Sequence, residues 1–268
     1  PKFKPEFQPI TETFKVNDSI TIKGKAVAFA GSNITDAKVV YRVKRQVQYP
    51  TWWYWRRPDY YSSEAQEITF GEGTTNDKGE FEITFKALPD ESVSKDNLPV
   101  FNYEVTADIT DVNGETRSTT TVVNIGYHAM TLEISTPNQI DKAKKEVELT
   151  LNSQNLNGEF VPAKGTLKIF KLKSPEAILR ARPWNAPDFQ VISKEEFKRL
   201  FPHDPYNDEH LSTNWDKGEE VFSTDFDTEK EKTITLKKLK KWNSGQYIII
   251  AESKDKFGED VKAEAYTN

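Results

Sequence analysis

Two stretches of this chain carry the same residues at the same offsets. Tyr103-Glu-Val-Thr-Ala107 leads to Asp111 and then Gly114-Glu115, while Tyr247-Ile-Ile-Ile-Ala251 leads to Asp255 and then Gly258-Glu259, without a gap. Two further matches keep the same order. Ile20 to Val43 parallels Val147 to Ile169: an alternating strand, a Gly turn (Gly31, Gly158), then an Ala-Lys start (Ala37-Lys38, Ala163-Lys164) to a second strand. Ile83-Thr84-Phe85 likewise matches Ile234-Thr235-Leu236. Repetition of this kind specifies one fold made twice. The length of 268 residues fits, at about 150 residues per domain.

The period of the pattern fixes the fold class. Ile20, Ile22, Gly24, Ala26 and Ala28 fall on one face of a strand, and Thr21, Lys23 and Lys25 on the other. Val39, Tyr41 and Val43 alternate in the same way, as do Phe81, Ile83 and Phe85. Asn76-Asp77-Lys78-Gly79 and Asp111-Val112-Asn113-Gly114 carry turn chemistry between such runs. Short strands with turns between them and no helical period predict an all-β chain of two consecutive seven-stranded-type β-sandwiches. The expected division is an N-terminal arm or linker over 1–13, punctuated by Pro1, Pro5 and Pro9, a first sandwich over 14–127 and a second over 128–268.

Both copies carry an insertion after the second strand. In the first, Gln48 to Ser63 holds Trp52, Trp53, Tyr54, Trp55, Arg56, Arg57, Tyr60 and Tyr61. Neighbours on a strand point to opposite sides, so the four consecutive aromatics cannot share one core. A hairpin-like extension of the second and third strands is expected, with one aromatic face packed and the other at least partly exposed. The exposed set would pack on a neighbouring domain or stack on a sugar, with Arg56 and Arg57 lying over the rings. In the second copy the insertion runs over about 174–218. It holds one predicted helix, Ser193 to Phe201, with Ser193 as N-cap, Glu196 as its capping-box partner and Pro202 as the stop.

Composition removes most chemistry. There is no cysteine, which excludes disulfides, thiolate metal sites and cysteine nucleophiles. Lys and Arg number 37 against 42 Asp and Glu, a formal charge of −5 with no block of one sign, so no nucleic-acid footprint is expected. The longest apolar runs are five residues (Ala26 to Ala30, Tyr247 to Ala251), too short to span a membrane. No nucleophile elbow, phosphate loop or metalloprotease motif occurs. His203, Asp204, Asp208, Glu209 and His210 follow no metal-ligand spacing and read as a polar loop. Asp111, Asn113 and Glu115 read as a turn rather than a calcium loop, and Lys237, Lys238, Lys240 and Lys241 as a solvated strand end. No catalytic residue, cofactor or metal is expected. The chain opens at Pro1 without a signal peptide and is expected to be an excised or processed piece.

One resemblance adds to this reading. Gly24-Lys-Ala-Val-Ala-Phe-Ala-Gly31, followed by Ala37-Lys-Val-Val-Tyr-Arg-Val43 and Lys44-Arg45, resembles the opening of macroglobulin-like (MG) domains. Thr75 to Asp90 fits the same pattern, as do Glu196-Phe197 and Phe201-Pro202. The chain is most similar to large bacterial alpha-2-macroglobulin-family proteins of the Bacteroidetes type, although the Gly-turn-Ala strand pair also occurs in carboxypeptidase regulatory-like domains. The resemblance implies a non-catalytic pair of immunoglobulin-like scaffold domains in a protease-inhibiting parent of the bacterial cell envelope, periplasmic or anchored at the outer membrane. Its partners would be the parent's other domains and, through the parent, proteases. Without cysteine, the family's thioester chemistry lies outside this chain. A different class of function, a carbohydrate-binding or adhesive module built on the aromatic segment 52–61, remains open beside it.

Overall fold

The computed structural model describes residues 2–48, 64–182, 186–187 and 189–268. The chain divides into two compact units. The first comprises Pro1–Thr131, Gln154–Val161 and Asp255–Glu259, and the second Leu132–Ser153, Pro162–Lys254 and Asp260–Asn268.

The first unit is a sandwich of two antiparallel sheets. One sheet has the order β1-β2-β5, built from β1 (Phe3–Phe7), β2 (Ser19–Ala28) and β5 (Glu80–Lys86). The other has the order β4-β3-β6-β7, from β3 (Lys38–Gln48), β4 (Gln66–Thr74), β6 (Val100–Thr110) and β7 (Thr116–Gly126). Alternation decides what goes inside. Ile20 and Ile22 face Phe85 and Ile83 across the β2–β5 register and are buried, while Thr21 and Thr84 bond through their hydroxyls on the outer face at 2.8 Å. Gly24 has a packing reason. It sits in register between Phe7 and Phe81, and a Cβ there would lie 2.2 Å from the Phe81 ring.

The second unit repeats this plan. β8 (Thr131–Ser135), β9 (Glu146–Gln154) and β12 (Thr233–Lys237) form a sheet of order β12-β9-β8. β10 (Lys164–Leu172), β11 (Lys217–Asp227), β13 (Tyr247–Lys254) and β14 (Asp260–Thr267) form one of order β11-β10-β13-β14. Each strand of the second set takes the place of the strand seven earlier in the first. The register repeats as well: Val147 and Leu149 face Leu236 and Ile234 as Ile20 and Ile22 face Phe85 and Ile83. Tyr103 and Ala107 lie on β6, Tyr247 and Ala251 on its counterpart β13, and all four are buried. The expectation of two tandem β-sandwiches therefore holds.

A threonine latch is also duplicated. The Thr75 hydroxyl accepts from the Ala37 N–H at 3.0 Å, and the Thr228 hydroxyl accepts from the Ala163 N–H at 2.8 Å. Both threonines are buried, so each hydroxyl satisfies a backbone donor that would otherwise be stranded.

One expectation needs correction. Phe3–Phe7, assigned to an extended arm on the strength of its prolines, is edge strand β1 paired along its length with β2. Pro5 lacks an N–H to donate, which an edge strand tolerates because one side of it has no ladder to make.

Candidate functional site

The eight aromatic and arginine positions singled out from the sequence (Trp52, Trp53, Tyr54, Trp55, Arg56, Arg57, Tyr60 and Tyr61) lie outside the described residues, as does the rest of 49–63. The best-defined departure from a plain sandwich is the insertion of the second unit, between β10 and β11.

Its base is closed by the Lys173 N–H donating to the Asp216 carbonyl at 2.9 Å. Helix α1 (Lys194–Leu200) stands where the capping pattern put it, with the Ser193 hydroxyl accepting from the Glu196 N–H at 3.2 Å. Phe197 meets Phe201 at a tilt of 47° with ring centres 5.2 Å apart, and Tyr206 edge-on at 5.3 Å. Tyr206 is the hub. Its hydroxyl donates to Ile192 O at 2.8 Å, and its own carbonyl accepts from Gln190 at 2.7 Å and from the Arg182 guanidinium at 3.2 Å. Arg182 also donates to Pro205 O at 2.7 Å. A segment too short in regular structure to support itself is thereby closed by side-chain to backbone bonds.

Trp215 anchors the insertion to the sheet. It packs on Leu172, Ile248 and Ile250 together with Phe170 and Tyr266, and its indole N–H donates to Glu209 O at 2.7 Å. The Glu209 carboxylate accepts from the Asn207 N–H at 2.6 Å and pairs with Lys194 at 3.2 Å. Burial pushes its pKa up. The backbone N–H groups of Asn207 and Glu209 itself and the Lys194 ammonium outweigh that and hold the carboxyl below its ordinary value.

The residues under the insertion separate the two repeats. Alignment on the pairs Tyr41–Ala107 and Leu167–Ala251 puts Phe170, Leu172, Ile248, Ile250 and Tyr266 where the first repeat has Lys44, Gln46, Glu104, Thr106 and Val122. Four of these five positions are thus polar in the first repeat, and all five are apolar, capped by Trp215, in the second. The uninterrupted run Tyr247 to Ala251 was the sequence signal for this, since a strand covered on both faces loses its alternation. Arg182 carried no such signal.

His203 bonds through Nδ1 to the Ile178 carbonyl at 3.1 Å, and the Asp208 carbonyl accepts from Asn214 at 3.2 Å, so these residues serve the loop's own closure. Among the described residues no group of three His, Cys, Asp or Glu side chains is placed to hold a metal ion. No helix among them is long and apolar enough to cross a membrane. The insertion also turns large apolar side chains outward: Ile178, Phe189 and Val191 are each more than four-fifths exposed.

Broad concavities open in both units. In the first, about 500 Å³ opens between Lys23, Tyr41, Glu80 and Glu82, with Lys23 and Glu82 paired at 3.3 Å. In the second, about 520 Å³ opens beside Trp242.

No family model matches the chain, and no curated protein matches it. Solved structures similar to it include the native conformation of Escherichia coli alpha-2-macroglobulin, at 8% identity and a TM-score of 0.40, over all of this chain and 16% of that one. Trypsin-activated alpha-2-macroglobulin from Escherichia coli is similar at 8% identity and a TM-score of 0.41, over all of this chain and 17% of that one. A tetra-tandem repeat from the extending region of a large adhesion protein is similar at 12% identity and a TM-score of 0.29, over 99% of this chain and 50% of that one. The chain spans about one sixth of the length of the two alpha-2-macroglobulins.

Proposed function

We propose that this chain is a non-catalytic scaffold pair of macroglobulin-like domains, spanning about 14–127 and 128–268 with β1 joined to the first, within a bacterial extracytoplasmic protein of the alpha-2-macroglobulin kind. The observation that carries this reading is the duplication itself. Strand order, register and threonine latch recur in two consecutive sandwiches. Repeated modules with apolar cores and latched connections are what a load-bearing frame requires. In this reading the partners are the parent's other domains, and proteases are met only through the parent.

The test is functional. The purified chain, incubated with trypsin or elastase, is expected to leave cleavage of both small and large substrates unchanged. The parent is expected to lose its inhibitory activity when the chain is deleted from it. Inhibition by the chain alone, or a parent without further domains of this type, overturns the proposal. The adhesive or carbohydrate-binding alternative rests on the aromatic run, and loss of glycan binding on Trp52→Ala or Trp53→Ala would favour it.

A further inference from the structure

Strand β5 lies at the edge of its three-stranded sheet and pairs only with β2. The register decides which of its backbone groups are spent. The Ala26 N–H donates to the Gly79 carbonyl at 2.8 Å and the Ala87 N–H to the Asp18 carbonyl at 2.9 Å. The odd-numbered residues of β5 therefore bond to β2, and the even-numbered ones turn their N–H and C=O outward. Glu80 spends both outward groups on Asn76, and the Lys86 carbonyl accepts from the Leu88 N–H. Glu82 and Thr84 keep theirs: among the described residues neither makes a backbone bond on that side.

A free edge of this kind recruits another strand unless it is short, charged or interrupted. Pro5 interrupts edge strand β1. The counterpart of β5 in the second repeat, β12, has five residues and ends on Lys237, with Lys238, Lys240 and Lys241 behind it. β5 has seven residues, no proline and no register shift. The concavity of about 500 Å³ runs beside it, with Glu80, Phe81 and Glu82 on one lip and Gly73 and Thr74 on the other, so the approach is clear. A Cβ at Gly73 would meet nothing within 4 Å, whereas the second repeat has Phe226 at the corresponding position.

Charge selects the occupant. Glu80 and Lys86 stand at the two ends of β5 on its outer face, and neither is in an ion pair among the described residues. Two copies of β5 laid antiparallel about a two-fold axis at Ile83 set Glu80 opposite Lys86 at both ends. The same register sets Glu82 opposite Thr84, so the free backbone groups of one copy meet those of the other. A slip of two residues in one direction would oppose Glu82 to Glu82. A slip in the other would ask Lys86 to take a carboxylate that Lys23 already holds at 3.3 Å.

We propose that β5 pairs with β5 of a second copy of this chain, joining two three-stranded sheets into one continuous sheet. The pairing is independent of the scaffold role, which a monomer would serve equally well.

Sedimentation equilibrium of the whole chain tests this. One strand edge buries less than the ~1,200–2,000 Å² of stable interfaces, so a weak dimer is expected, half-formed at roughly 100 µM and weakened several-fold by added salt. Lys86→Glu and Glu80→Lys each place like charges opposite one another at both ends, and each should weaken self-association at least tenfold. An equimolar mixture of the two variants places opposite charges at both ends and should recover the dimer, which also shows that both variants are folded. The chain has no cysteine. Glu82→Cys mixed with Thr84→Cys should therefore form a mixed disulfide under mild oxidation several-fold faster than either variant forms one with itself. A chain that stays monomeric throughout, which would leave the edge to a different protein, overturns the proposal. So does self-association unchanged in Lys86→Glu, or a mixture no more associated than its components.

Discussion

The phenol of Tyr103, wholly inside the first sandwich, donates to the carbonyl of Leu88 at 2.8 Å. Arg45, which faces Tyr103 across the β3–β6 register, donates to the same carbonyl at 3.2 Å and to Pro89 O at 2.7 Å. Two neighbouring side chains thus pin the segment that leads from β5 toward β6. Tyr103→Phe should cost about 1 kcal/mol, the net worth of one such bond when the acceptor keeps a second donor. Tyr103→Ala should cost about 3–5 kcal/mol through the cavity it leaves. Urea unfolding of the whole chain reads both, and a Tyr103→Phe variant as stable as the unmodified chain would deny the phenol's bond any role.

Asp90 closes the same segment. Its carboxylate accepts from the Ser92 hydroxyl at 2.6 Å and the Ser92 N–H at 3.0 Å, and lies 3.5 Å from Arg45. The Ser92 hydroxyl, the Ser92 N–H and Arg45 together outweigh the upward push of burial and hold its pKa below the usual carboxylate value. A carboxyl depressed in the folded state adds stability above its unfolded pKa, and that contribution is lost as pH falls through the folded one. Asp90→Asn should therefore narrow the difference in melting temperature between neutral pH and pH values below about 4. An unchanged acid limb would count against the linkage.

Four turns share one construction. Asn76, Asp111, Asn155 and Asp255 each accept, through the side-chain oxygen, from the N–H groups two and four residues on. Each places a Gly at positive φ three residues on, followed by Glu. Two of the glycines differ in what surrounds them. A Cβ at Gly114 meets nothing within 4 Å, whereas one at Gly79 would lie 2.5 Å from the Ala26 carbonyl. Gly114→Ala should cost about 1–2 kcal/mol for the left-handed backbone alone. Gly79→Ala should cost clearly more, because backbone must also move. Chemical denaturation of the two variants side by side gives the comparison, and equal losses would refute it.

Trp215 covers Leu172, Ile248 and Ile250. Trp215→Ala should destabilise the second unit by about 3 kcal/mol. It should also raise binding of an apolar dye, because the sheet face beneath becomes accessible. Trp215→Phe should restore most of the stability but not the bond to Glu209 O. A variant that melts like the parent chain would mean that the insertion is held elsewhere.

Much of this fold is legible in the sequence because a sheet with one buried face writes its period into the chain. Ile20, Ile22, Phe81, Ile83 and Phe85 could be placed inside on that ground alone. The doubled motifs around Tyr103 and Tyr247 carried the topology as well. Edge strand β1 was hidden because prolines mark both linkers and sheet edges. Of the four like turns, those at Asp111 and Asp255 join corresponding strands and showed as a repeat, whereas those at Asn76 and Asn155 were not linked to them because they fall in connections that do not correspond between the repeats. The closure of the insertion was illegible for a different reason. Its bonds run from side chains such as Arg182 and Tyr206 to distant carbonyls, and no local period records such bonds.

The apolar outer face of the second repeat has a consequence for descent. A duplicated module begins with two identical faces, and both a bare apolar sheet and an unanchored loop cost stability. Ile248 and Ile250 are tolerable only under a lid, and Trp215 has a seat only where those residues are present. The loop and its landing site are therefore expected to vary together. In lineages that shed the loop, Ile248 and Ile250 should revert to polar residues, leaving a strand that alternates like β6.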